Sequence, residues 1–284
     1  MKSAIKGIAA CIASYFVSLL LRYALGMGFA SMFEAWGITT DNIYLAPAWA
    51  VSVLRYHGQV INLMQAAIIV VASMASKRWL LQKPHVQWGT GALRGAFIGA
   101  AVGVIVLGGL LLLDGVRMGW RVSQVRLSGG VFIGIGAYAL MAIAYECLFR
   151  DLIFSSLDQV HPLWAMGISA ALFSFADTSV LFGVGQMNAL LLGIVLGFIY
   201  RKTGSIATGS MLWFSLNAIR YPIMGSFGSV DGMVSGTMFE LYPAQLNWLS
   251  GGQWGPQAGL MMTAVLLAVI GLFIWQGRKP MAKT

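Results

Sequence analysis

In the stretch AYECLFRD, residues 144–151, a glutamate and an arginine stand four residues apart in an otherwise apolar run. On a helix that spacing puts Glu146 and Arg150 on one face, with the acid N-terminal to the cation, the favourable order for an ion pair. Further along, Asp177 closes ALFSFAD, Asn217 sits in MLWFSLNAIR, and Arg220 follows it three residues later. These groups can do chemistry. A carboxylate that ionises and reaches a water can serve as a general base. Two carboxylates sharing a proton can drive peptide hydrolysis. An amide can donate to a developing oxyanion. The same groups can also neutralise one another, because a guanidinium beside an acid holds it ionised and paired.

The elements that must position them are membrane helices. The chain has 284 residues, 58% hydrophobic and 10% charged, with a mean hydropathy of +0.79. A soluble domain carries about 25% charged residues, so the expected fold class is all-α, a polytopic membrane helix bundle. About 20 apolar residues cross the hydrocarbon core, and eight runs qualify: roughly 5–30, 58–76, 92–113, 129–153, 162–181, 185–200, 205–224 and 256–275. The first begins without a clear cleavage site after it and reads as a retained span rather than a signal peptide. The net charge of +9 is read as cytoplasmic loop charge, and basic stripes with interleaved aromatics, as nucleic-acid binders carry, are absent. Lys2, Lys6, the segment SKRWLLQKPH, Arg201, Lys202 and the tail GRKPMAKT fall on one side if both termini are cytoplasmic. Segment 115–127, with Arg117, Arg121 and Arg126, stands against this. It reads either as an interfacial helix with Trp120 at the headgroups or as a sign that the span count is off by one. Residues 31–57 and 225–255 read as long loops on the opposite side. No repeat or boundary divides the chain, so residues 1–284 are expected to form one integral membrane domain.

Ionisable groups inside spans cost several kcal/mol unless paired or watered. Arg22 and Arg94 lie near span ends and can snorkel to the interface. Glu146, Arg150, Asp177 and Arg220 are harder to dismiss and, on three polar-bearing spans with Asn217, suggest one interior cluster. GAFIGAAVGVIVLGG, with Gly95, Gly99 and Gly103 at four-residue spacing, reads as a close helix-packing face. The sixteen methionines read as adaptable core filler. Cys11 and Cys147 lie in apolar runs and form no disulfide framework. The three histidines, His57, His85 and His161, lie in or beside connecting segments, so no histidine-based metal site within the bundle is expected. GVGQMNALLLG has too few correctly spaced glycines for a nucleotide site, and no cofactor is expected.

The motif residues resemble the CPBP family of membrane proteins, the CAAX-protease and bacteriocin-processing proteins also called Abi. The family's first motif is Glu-Glu-x-x-x-Arg, often with Phe before Arg; YECLFR keeps Glu146, Phe149 and Arg150, with Tyr145 at the first glutamate. The second is Phe-x-x-x-His; FSFAD keeps Phe173 and has Asp177 where His belongs. The third is His-x-x-x-Asn after a Thr-Gly-Ser turn; TGS at 203–205 precedes WFSLN, which keeps Asn217 and has Trp213 at the His position. SGGQWGPQAGL, 250–260, resembles a further family segment, with Gln257 in place of an acid. The similarity runs over about 125–265.

The resemblance implies an intramembrane endopeptidase in which a glutamate activates water, histidines assist and the asparagine stabilises the oxyanion. The departures point elsewhere. Tyr145, with an ordinary pKa near 10, is a poor base, and Trp213 donates one N–H but relays no proton. Three readings follow. One is a catalytically degenerate scaffold or accessory subunit that binds another membrane protein, a lipid or a lipidated peptide. Another is an active glutamic or aspartic endopeptidase built on Glu146, Asp177 and Asn217. The third is a transporter, for which PIMGSFG, 222–228, could interrupt a span. In each, Arg150, Phe149, Phe173 and Arg220 bind or support the cluster. Membrane lipids are expected partners and nucleic acid is not. The family's settings imply a bacterial inner membrane.

Overall fold

The computed structural model describes residues 2–37, 48–79, 88–113, 116–119, 129–177, 183–223, 225, 239–243 and 246–278. Each of the eight apolar runs is largely helical over its described residues. α1 spans Lys2–Ala35, α2 Ala48–Trp79 and α3 Ala92–Leu112. α4 begins as an α-helix at Gly129–Tyr145, continues as a π-helix over Glu146–Phe154 and ends at Leu157. α5 is Pro162–Asp177 and α6 Val184–Thr203. α7 is Ile206–Ala218, followed by a π-helical turn, Ile219–Ile223. Short helical turns at Asn247–Ser250, Gly252–Trp254 and Pro256–Ala258 lead into α8, Leu260–Arg278. Among the described residues, five helical stretches are long and apolar enough to cross a membrane: Ile5–Ala35, Tyr56–Trp79, Ala92–Leu112, Val131–Leu157 and Val184–Thr203. The chain is an all-α membrane helix bundle.

Two sequence expectations change. The loop assigned to 31–57 is much shorter, because α1 continues to Ala35 and takes in Glu34, while α2 already begins at Ala48. Gly37, at φ 67°, supplies the left-handed residue that follows a helix end. Segment 115–127 is not helical where it is described. Val116–Gly119 forms a strand, β1, paired antiparallel with β2, Glu240–Pro243, in the register Val116↔Pro243 to Gly119↔Glu240. The partner strand is remote in sequence, and β pairing satisfies backbone groups that a four-residue stretch cannot satisfy alone. Arg121, Arg126 and Trp120 lie outside the described residues. Of PIMGSFG, Pro222, Ile223 and Gly225 are described: the helix ends at Ile223, and Gly225 (φ 62°) donates its N–H back to the Tyr221 carbonyl, while the rest of the segment lies outside the described residues.

Packing fixes the helix directions. Gly95, Gly99 and Gly103 face Thr208, Leu212 and Ile219 in that order, so α3 and α7 run parallel; a Cβ at Gly95 or Gly99 would overlap the carbonyl oxygen of Thr208 or Leu212. α6 and α8 also run parallel, with Asn188 bonded to Thr263, Phe198 stacked on Phe273 and Lys202 bonded to Gln276. Gly193 meets Ala170 and Gly197 meets Met166, so α5 and α6 are antiparallel. Gly7 of α1 meets Ser156 of α4, and Lys77 of α2 meets Asp151 of α4. The starts of α1, α3, α5 and α7 and the ends of α2, α4, α6 and α8 therefore share one end of the bundle. That end carries Lys6, Lys77, Arg78, Arg94, Arg201 and Lys202.

Hydrophobicity alone does not tell these helices which side faces in, because lipid is as apolar as the core; side-chain size does. On α3, Gly95, Gly99 and Gly103 are buried, whereas Leu93, Phe97 and Leu112 are more than three-quarters exposed. α4 is the central helix, with 61% of its most apolar window buried against 22% for α1.

Candidate functional site

The cluster is built on the π-helical part of α4. A π-helix bonds each N–H five residues back instead of four, and such segments occur often at functional sites. Here it runs from Glu146 to Phe154, all buried. Neighbouring hydroxyls collect its carbonyls: Ser169 Oγ donates to Phe149 O at 2.8 Å, and Ser156 Oγ to Leu152 O at 2.6 Å. The second π-helical turn follows Asn217 and contains Pro222, which has no N–H to bond four residues back.

Glu146 and Arg150 form an ion pair, Oε1 to Nε 3.4 Å, with side chains 1% and 0% exposed. Arg150 Nη2 also donates to Gly193 O of α6 at 2.9 Å, and its guanidinium carbon lies 4.6 Å over the Phe173 ring. The other side of the Glu146 carboxyl is closed by Gly209 of α7, where a Cβ would strike Glu146 Oε2. A buried charge is costly unless it is paired and hydrogen-bonded; Glu146 is paired with Arg150 and enclosed, but neither of its carboxylate oxygens has a hydrogen-bond partner among the described residues.

Asp177, the last residue of α5, has a different partner. Trp213 Nε1 donates to its Oδ1 at 3.0 Å, so the indole at one motif position holds the carboxylate at another. No arginine within ion-pair distance of Asp177 appears among the described residues. Arg220 reaches the same region through Asn217: its Nη2 donates to Asn217 Oδ1 at 2.6 Å, and Asn217 Nδ2 donates to Trp213 O at 2.8 Å. The asparagine amide is engaged at both ends.

Tyr145, at the first glutamate position, donates to Ala176 O at 2.9 Å. Its ring stands edge-on to Phe149, Phe173 and Trp213 at centroid distances of 5.7, 5.8 and 5.5 Å. Phe149 and Phe173 are themselves perpendicular at 5.7 Å, and Tyr138 bridges Trp213 and Tyr221. Such pairs contribute about 0.5–1.5 kcal/mol each beyond buried area. The space between the motif helices is thus packed with rings.

Tyr145, Glu146, Phe149, Arg150, Phe173, Asp177, Trp213, Asn217 and Arg220 meet in this one network, but Glu146 and Asp177 stand apart within it. Asp177 lines a cavity of about 20 Å³ together with Gly185, Asn188, Arg220, Gln257 and Met262, room for about one water. Glu146 is not among the lining residues. The cavity lies between the end of α5 and the starts of α6 and α8, opposite the basic end. Among the described residues, no three His, Cys, Asp or Glu side chains come together as metal ligands.

Sequence reasoning missed the roles of four residues. Lys77 of α2 pairs with Asp151 at 2.5 Å, both nearly buried; the basic run around Lys77 read as loop charge. Asn188 of α6 donates to the carbonyls of Gln257 and Gly259 at 2.7 and 3.0 Å and accepts from Thr263 at 2.7 Å. Gln257, noted only for replacing an acid, accepts a short hydrogen bond from Tyr221. Gly209 gave one signal, a second Thr-Gly-Ser at 208–210, without indicating what it touches.

No curated protein and no solved structure matches the chain. Residues 127–219 match the family model described as Rce1-like, type II CAAX prenyl endopeptidase Rce1-like, a span that contains all three motifs and is narrower than the 125–265 read from the sequence. That match covers less than half of the chain; within it Glu146, Arg150, Phe173 and Asn217 lie in one network inside a membrane helix bundle, and residues 127–219 are similar to the CPBP family.

Proposed function

We propose that this integral membrane protein is a catalytically degenerate member of the CPBP family, a scaffold or accessory subunit whose motif cluster has become a structural core. It would bind another membrane protein, a lipid or a lipidated peptide, as a single domain in a bacterial inner membrane. The observation that carries this reading is the enclosure of Glu146: the retained motif carboxylate is 1% exposed, faces Arg150 and backs onto Gly209. A general base must reach its water, and Glu146 is not among the residues lining the Asp177 cavity. Asp177 and Trp213, bonded to each other, occupy the two histidine positions. Under the positive-inside rule, the Asp177 cavity opens toward the outer side, because the opposite end of the bundle carries the cations.

One observation favours a second reading, an aspartate-dependent peptidase: Asp177 lines a cavity that can hold a water beside Arg220. The test is turnover of quenched prenylated and unprenylated peptides by the purified full-length protein. No turnover is expected. Turnover abolished by Asp177→Asn or Glu146→Gln would overturn the proposal. Co-purification of a stoichiometric membrane partner is the positive counterpart.

A further inference from the structure

A second cavity, of about 210 Å³, lies at the basic end, away from the motif cluster. It is lined by Arg94, Ile98, Ile199, Lys202, Thr203, Thr208, Phe273 and Gln276, and no carboxylate is among them. Four helix ends meet there: the first turns of α3 and α7 and the last turns of α6 and α8.

The lining is layered. On each of α3, α6 and α8, a polar group at the helix end is followed one turn inward by an apolar one. Arg94 stands over Ile98, Lys202 over Ile199 and Gln276 over Phe273. An amphiphile has this order, a charged head at the interface and a hydrocarbon chain below it. The donors are also available. Thr203 and Thr208 already spend their hydroxyl protons on the Ile199 and Thr90 carbonyls. Lys202 gives one N–H to Gln276 Oε1 at 3.2 Å, which holds the ammonium at the cavity and leaves its other protons free. Among the described residues the Arg94 guanidinium has no hydrogen-bond or ion-pair partner. A guanidinium and an ammonium that line one cavity with no carboxylate among its described lining residues suit a phosphate, and basic pockets between membrane helices take anionic headgroups.

We infer that this cavity binds the phosphate headgroup of an anionic membrane phospholipid, with Arg94 and Lys202 on the phosphate and an acyl chain along Ile98, Ile199 and Phe273. The inference is independent of whether the motif cluster cleaves peptides.

The test is native mass spectrometry of the full-length protein in mild detergent, titrated separately with phosphatidylglycerol and phosphatidylcholine, each with and without inorganic phosphate. Phosphatidylglycerol is expected to bind more tightly. Arg94→Gln and Lys202→Gln should each weaken it roughly five-fold, and the double variant roughly 25-fold. Arg201→Gln, the same charge change on an adjacent residue outside the cavity, should leave binding unchanged. Unaltered thermal unfolding will show that the variants fold, as expected for exposed side chains. Equal loss in Arg201→Gln would assign the effect to diffuse surface charge and overturn the inference, as would absence of a preference for phosphatidylglycerol. Inorganic phosphate that displaces the lipid would identify a free-anion site and overturn the lipid assignment.

Discussion

The indole N–H of Trp213 is bonded to the carboxylate of Asp177 at 3.0 Å, so a residue of α7 and the last residue of α5 hold each other. A hydrogen bond to a charged group contributes about 1.5–3 kcal/mol. Trp213→Phe, which keeps the ring and removes the donor, is expected to lower stability by about 2 kcal/mol. The check is a double-mutant cycle with Asp177→Asn, read by unfolding in mixed micelles. Additive effects would mean that the bond contributes nothing.

The Glu146–Arg150 pair makes a sharper prediction. Removing one partner from a buried ion pair leaves an uncompensated charge and costs about 3–5 kcal/mol. Glu146→Ala should therefore be severely destabilising, while Glu146→Leu combined with Arg150→Met should come close to the unmodified protein. Gly209→Ala places a methyl against the Glu146 carboxyl and should cost about 1–3 kcal/mol. That penalty should shrink in the Glu146→Ala background, where the obstructing atoms are gone. An undiminished penalty would show that Gly209 matters for another reason.

Lys77 and Asp151 join α2 to the π-helix across 74 residues of sequence. Lys77→Met should destabilise by about 3–5 kcal/mol, and so should Asp151→Leu. Combining the two removes both charges and should recover most of the loss. Measuring the three variants by chemical unfolding decides whether the pair acts as a unit.

Asn188 binds α6 to the start of α8 and to the turn before it through three hydrogen bonds. At about 1 kcal/mol each, Asn188→Ala should cost about 3 kcal/mol. Hydrogen exchange is the informative readout: faster exchange should appear in residues 255–263, with the α3–α7 interface unchanged.

Part of this architecture was legible in the sequence for a physical reason. A backbone in lipid must satisfy its own hydrogen bonds, so each apolar run had to be a helix, and each is largely helical over its described residues. The four-residue spacing of Glu146 and Arg150 placed them within reach, and the spacing of Gly95, Gly99 and Gly103 announced a close contact. Helix lengths were less legible: α1 runs through Glu34 because one acid does not stop a helix, whereas the left-handed Gly37 follows its end.

Tertiary structure decided what the polar groups do. Sequence spacing put both acids beside arginines; the fold gives Arg150 to Glu146 and Trp213 to Asp177, because α5 ends beside the indole of α7 while Arg220 turns to Asn217. Lys77 with Asp151, Asn188 with Gln257, and the strand at 116–119 with that at 240–243 are pairings between segments far apart in the chain. Local composition determines whether a segment enters the membrane. Which buried charge meets which partner depends on the cost of leaving it unpaired once the helices have packed, and that cost is set only by the assembled bundle.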